Sequence, residues 1–184
     1  MNRAVFLDRD GTINIDTGYV HKAEEFEFIP GALEALEELS KTDFKIIVIT
    51  SQSGIGRGYY TEADFHRLTD YMRSVMNDRD IRLDGVYFCP HHSEKAIGKY
   101  KIVCDCRKPK IGLIEKAAAE HDIDLSRSYV IGDKTADIEM GRRAGCKSIL
   151  VKTGKAGEDG EFNISPYYVG NTLKEAIKKI LEDQ

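Results

Sequence analysis

The chain has 184 residues, 32% charged and 41% hydrophobic, with a formal net charge of -4 and no tryptophan. That length and composition predict one globular domain spanning 1–184, large enough to bury a core, and exclude a disordered or fibrous protein. Mild acidity excludes a broad face for polyanions, so neither a nucleic-acid nor a membrane partner is expected.

The first strand is predicted at Ala4–Leu7, a short apolar run that charge ends at once. It is too brief for a signal peptide or a membrane span, so a cytoplasmic location is the expectation, with the chain acting as a monomer. The strand runs directly into Asp8-Arg9-Asp10-Gly11-Thr12. Two acids two residues apart at the carboxyl end of a strand can share a site while doing different work, one as nucleophile or metal ligand and the other as proton carrier. Alone, the pair reads equally well as a polar turn. Residues 11–29 then form a connection longer than a βα loop needs, and such loops in a compact domain are usually functional.

Pro30 is predicted to open a helix over 31–40, with Leu33, Leu36 and Leu39 as its apolar stripe. A second strand at 45–50 ends in Thr50-Ser51-Gln52-Ser53-Gly54, a run of hydroxyl and amide groups suited to an anion. Thr61 and Asp64 have the spacing of a capping box, for a helix running to about Asn77. The third strand, Gly85–Cys89, leads into a second long connection over 90–110.

That connection holds Cys89-x-His91 and Cys104-x-Cys106, three thiolates and an imidazole of the kind that suits tetrahedral zinc. With no position left for water the site should be structural, and His92 competes with His91 for the fourth place. Metal ligation is favoured over disulfides for such tightly spaced cysteines in a cytosolic chain. Lys95, Lys99, Lys101, Arg107, Lys108 and Lys110 make the same loop basic. Arg107 suits bidentate contact with a phosphate ester and Lys108 a point charge; a solvated basic loop is the plainer alternative.

A fourth strand at 128–132 ends in Asp133-Lys134-Thr135-Ala136-Asp137, a further carboxylate for a hard cation such as Mg²⁺. Asp137 either orients its neighbours or caps the next helix. Cys146 reads as a small buried hydrophobe. Strands at 148–151 and 167–169 follow, and Thr172 with Glu175 fits a capping box for the last helix. The alternation predicts an α/β fold, a Rossmann-like three-layer sandwich whose central parallel sheet is covered on both faces, with a zinc-clipped loop over 89–110.

Asp8-x-Asp10-Gly11-Thr12, then Thr50, Lys108 and Gly132-Asp133-Lys134 with Asp137 resemble the four-motif order of the haloacid dehalogenase-like (HAD-like) phosphatases. Gly18-Tyr19-Val20-His21, Gln52-Ser53-Gly54-Ile55, Arg57-Gly58, Cys89-Pro90-His91-His92 and the stretch from Cys104 to Pro109 are most similar to the heptose bisphosphate phosphatase branch. The resemblance covers almost the whole chain and implies no large cap domain. It implies Asp8 as nucleophile and Asp10 as acid and base. Asp8, Asp133 and the Asp10 carbonyl would hold Mg²⁺, with Thr50 and Lys108 on the phosphoryl oxygens.

The resemblance also favours His91 as the zinc ligand and implies a sugar bisphosphate as substrate, read by Asp16, Thr17, Gly18, Tyr19, Thr50, Ser51, Gln52, Ser53, Arg107, Lys108 and Lys134. Removal of the 7-phosphate of D-glycero-D-manno-heptose 1,7-bisphosphate is the implied reaction, and histidinol phosphate is the alternative substrate. One departure stands out: the family usually has Thr-Asn-Gln where this chain has Thr50-Ser51-Gln52. Two other classes compete. A phosphoryl-accepting signalling domain also sets acids and a lysine at strand ends, but it would retain an aspartyl-phosphate that Asp10 is placed to hydrolyse. A zinc-stabilised binding module leaves the carboxylates without a role.

Overall fold

A computed structural model describes residues 1–183. Its centre is a six-stranded sheet of β1 (Ala4–Leu7), β2 (Lys45–Ser51), β3 (Gly85–Cys89), β4 (Tyr129–Gly132), β5 (Lys147–Val151) and β6 (Tyr168–Gly170), in the order β3-β2-β1-β4-β5-β6. Every neighbouring pair is parallel. All of β1 and β4 is buried, which is why these strands read as unbroken apolar runs rather than alternating ones.

Helices cover both faces. On one, α1 (Ala32–Ser40), α3 (Glu62–Asn77) and α6 (Leu173–Glu182) pack Leu36, Leu39, Leu68, Met72, Met76 and Ile177 against Val5, Leu7, Val48 and Ile131. On the other, α4 (Gly112–His121) and α5 (Thr135–Ala144) set Ile114, Ala117 and Met140 against Phe6, Ile47, Ile49 and Val130. Alternate residues of β1 therefore serve opposite cores, as the period of a strand requires. A four-residue helix, α2 (Ser53–Gly56), follows β2.

The three-layer sandwich matches the sequence expectation, with small differences. β2 extends to Ser51, which pairs with Cys89, and β6 begins at Tyr168 rather than Tyr167. The first helix begins at Ala32, because Gly31 at φ 84° is its N-cap and Pro30 stands outside. Thr61 and Asp64 complete a capping box, whereas Glu175 receives the Asn171 amide, leaving Thr172 to cap alone. The connections 8–31 and 90–111 carry nothing longer than the one-turn 3-10 helices Ala23–Glu25 and Gly98–Tyr100. No helix among the described residues is long and apolar enough to cross a membrane.

Sheet order reverses between β1 and β4, and in such sheets ligands bind outside the carboxyl ends of the strands at that point. Thr61→Ala, remote from that point, is expected to lower unfolding free energy by about 1 kcal/mol in urea titration while leaving catalytic rates unchanged.

Candidate active site

Asp8 and Asp133 are the first residues beyond β1 and β4, and the Asp8 amide continues the ladder by donating to the Ile131 carbonyl at 2.9 Å. Asp137 joins them from the first turn of α5, and oxygens of the three carboxylates lie within 4.8 Å of one another. Three buried acids this close cannot all ionise unaided. Lys108 supplies the first compensation: its Nζ donates to Asp8 Oδ1 at 2.7 Å and to Asp137 Oδ1 at 2.6 Å, with its side chain buried. Lys134 supplies the second through its field on all three acids.

The charges sort accordingly. Burial alone would raise the Asp8 carboxyl, but Lys108 and Lys134 outweigh it and hold its pKa below the ordinary value. Burial would likewise depress Lys108, and Asp137 and Asp8 outweigh it, keeping the ammonium charged. Asp133 accepts no hydrogen bond from an ammonium group, and burial with the Asp8 charge nearby outweighs the field of Lys134 and pushes it up to about 7. Its Oδ1 is buried with no hydrogen-bond partner. An orphaned carboxylate oxygen facing another carboxylate is what a site for a hard divalent cation requires, so Asp8 and Asp133 fit Mg²⁺. Asp137 is paired with Lys108 and also accepts from the Lys134 amide, so it both orients the lysine and caps α5.

Asp10 stands apart from the trio. Its carboxylate accepts from Arg9 Nη2 at 2.9 Å, Asn14 Nδ2 at 3.0 Å and Gln52 Nε2 at 3.0 Å. Gln52 in turn donates to Thr50 Oγ1 at 2.8 Å and accepts from the Tyr60 hydroxyl at 2.5 Å. Asp10, Gln52 and Tyr60 border a cavity of about 360 Å³ that is also lined by Asp16, Gly18, Tyr19, Ser51, Ser53 and Arg107, with Lys108 and Lys134. Asp16 caps its own turn through the Gly18 amide and faces Lys134 Nζ at 3.7 Å. Thr50 lies buried beneath the cavity, and Thr17 is exposed outside its lining.

The profile of the HAD-hydrolase-like family matches residues 105–176. A D-glycero-beta-D-manno-heptose-1,7-bisphosphate 7-phosphatase from Haemophilus influenzae is 50% identical over 156 residues, 84% of each chain. The protein of that name from Escherichia coli K12 is 45% identical over 180 residues, covering 96% of this chain and 94% of its own. The chain belongs to the heptose bisphosphate phosphatase family of HAD-like hydrolases. A solved relative, D,D-heptose 1,7-bisphosphate phosphatase of B. bronchiseptica in complex with magnesium and phosphate, superposes with a TM-score of 0.88 at 28% identity over 99% of both chains. As a member of that family the chain is a phosphoric monoester hydrolase.

The long second connection of this chain is organised around sulfur. Cys89 Sγ lies 3.6 Å from Cys104 Sγ and 3.0 Å from Cys106 Sγ, and His91 Nδ1 lies 3.2 Å from Cys106 Sγ. No disulfide links them. Such spacings are close to the edges of a tetrahedron with zinc–ligand bonds of about 2.0–2.3 Å, so the cluster could hold zinc. His92 faces away, accepting from the Glu94 and Lys95 amides. Lys108 follows Cys106 by two residues, and Arg107 Nη1 donates to the His91 carbonyl at 3.4 Å, so the cluster fixes the chain that delivers both side chains. Cys146 packs in the apolar cluster on the α4 face, its thiol pushed up to about 12 by burial.

The structure adds residues that the motifs did not single out. Tyr60, Lys155, Asp159 and Glu161 line the cavity, and Arg9 and Asn14 hold Asp10. Carboxyl-end position after β5 was the available signal for 155–161; nothing local marked Tyr60. Two outcomes are expected. Lys108→Met strands Asp8 and Asp137 and should cost about 3–5 kcal/mol in denaturant melts, since a buried pair is broken by removing one partner. Elemental analysis should return one zinc per chain, lost in Cys104→Ser together with thermal stability; a metal-free chain of unchanged stability would contradict the cluster's role.

Proposed function

We propose that this chain hydrolyses the 7-phosphate of D-glycero-D-manno-heptose 1,7-bisphosphate, with Asp8 as nucleophile. The observation that carries the reading is the ionised Asp8 at the switch point, clamped by Lys108 and opposite the orphaned oxygen of Asp133. The name shared by relatives at 45–50% identity supplies the substrate.

An anionic nucleophile must meet an anionic ester, so positive charge has to cancel their repulsion. Lys108 and Lys134 provide it from the protein side. Mg²⁺ held by Asp8, Asp133 and the Asp10 carbonyl would neutralise phosphoryl oxygens when bound. An Asp8 oxygen bonds to phosphorus as the bond to the sugar oxygen breaks, and Asp10 gives that oxygen its proton. Water then attacks phosphorus, Asp10 takes the water's proton, and the bond between Asp8 and phosphorus breaks to release phosphate.

The neighbouring groups suit these roles. Thr50 Oγ1 already accepts from Gln52, leaving its hydroxyl proton to donate to a phosphoryl oxygen. Three donors hold the Asp10 carboxylate in one orientation, which keeps the proton carrier in place between the two half-reactions. Arg107, presented by the zinc loop at the cavity wall, is the natural ligand for the second phosphate of the substrate. Asp16, Thr17, Gly18 and Tyr19 would meet the sugar from the first long connection, with Ser51, Gln52 and Ser53 on the facing side.

Asp8→Asn should reduce turnover by roughly 10⁴-fold or more while the folded circular dichroism spectrum is kept, because the nucleophile is lost and Asp137 still pairs with Lys108. Phosphate release with Mg²⁺ should favour one anomer of heptose 1,7-bisphosphate over histidinol phosphate and simple sugar monophosphates. Equal rates across that panel would contradict the assigned substrate.

A further inference from the structure

The connection after β5 has no assigned role in the reaction just described, yet it lines the cavity with Lys155, Asp159 and Glu161 and is tied to the centre at several points. Thr153 Oγ1 donates to the Gly11 carbonyl at 2.7 Å. The Lys155 amide donates to Asp133 Oδ2 at 2.6 Å, and the Gly157 amide to the Asp133 carbonyl at 2.7 Å. Asp159 reaches back to α5, its carboxylate accepting from the Thr135 amide at 2.9 Å and the Thr135 hydroxyl at 2.6 Å. Thr135 is the first residue of that helix, where unpaired amides and the helix dipole favour an anion.

These ties do the work that apolar packing does elsewhere. No residue from 152 to 169 is fully buried, so polar contacts set where the segment lies. Its backbone comes close because Gly154, at φ 91°, has no side chain; a Cβ there would run into the Asp133 carboxylate and approach Gly11 Cα to 2.8 Å. The consequence falls on Asp133: Oδ2 is taken by the Lys155 amide, and Oδ1 is buried without a partner. A carboxylate tied by one oxygen presents the other in a fixed direction.

The geometry points to Asp159 as a positioning residue for the metal site: by fastening residues 153–162 to α5, it keeps the Lys155 amide on Asp133 and fixes Oδ1 toward the cation. This inference rests on the Mg²⁺-dependent reading above. Its test is Mn²⁺ binding to the zinc-loaded full chain, followed by electron paramagnetic resonance and by competition with Mg²⁺. Asp159→Ala should weaken Mn²⁺ binding by about 10-fold or more, the usual effect of removing a group that orients a ligand. Asp159→Asn keeps an acceptor for the Thr135 amide and should recover most of that loss. Thr135→Val, which removes only the hydroxyl, should fall between, and it carries the test if Asp159→Ala does not fold. Parent-like Mn²⁺ affinity in Asp159→Ala, or a loss that Asp159→Asn does not restore, overturns the inference and leaves the reaction standing. A parent protein that binds no Mn²⁺ overturns the metal-dependent reading itself.

Discussion

The site depends on one ammonium group. Lys108 Nζ sits between Asp8 and Asp137 with almost no access to solvent, and it is what allows a carboxylate beside two other buried acids to remain ionised. Removing it would leave like charges in a region of low dielectric, where their repulsion is large. The charge of Asp8, the start of α5 and the end of the Cys/His loop are thus held by the same atom. Stability and reactivity are not separable here, because the pairing that lets the acids be buried also keeps Asp8 anionic.

Lys108 reaches that position from a loop, and the loop has no core of its own. Its order comes from the convergence of Cys89, His91, Cys104 and Cys106, and from local ties such as Lys110 Nζ to the Cys104 carbonyl at 2.7 Å. Sheet topology supplies the other half of the arrangement. Because order reverses between β1 and β4, the two strands diverge into different crossovers and leave their carboxyl ends open together. Short connections would close that opening; here residues 8–31 and 90–111 border it instead.

Much of this was legible in the sequence, for a physical reason. Strands buried on both faces appear as uninterrupted apolar runs, so the position of each polar residue at a strand end could be read directly, and Asp8, Thr50 and Asp133 were found that way. Cys89-x-His91 and Cys104-x-Cys106 were legible because tetrahedral metal sites constrain ligand type and spacing; the family resemblance favoured His91 over His92, and the contacts agree. What was not legible depends on distant pairing. Arg9 lies between two acids and would pass for a surface residue, yet it is 1% exposed and holds Asp10. The helix Ser53–Gly56 is too short for periodicity, and Tyr60 matters only through Gln52. Residues 153–162 look like a solvated turn, since their link to Asp133 consists of backbone amides that no side-chain pattern records.

The central claim is that phosphorus passes through Asp8. Turnover of heptose 1,7-bisphosphate in Mg²⁺ can be quenched with borohydride, which reduces an acyl phosphate to the alcohol, and the chain then mapped by peptide mass spectrometry. The account predicts conversion of Asp8 alone to homoserine, dependent on substrate and on Mg²⁺. Turnover with an unmodified Asp8, or with the modification on Asp10, Asp133 or Asp137, would contradict it.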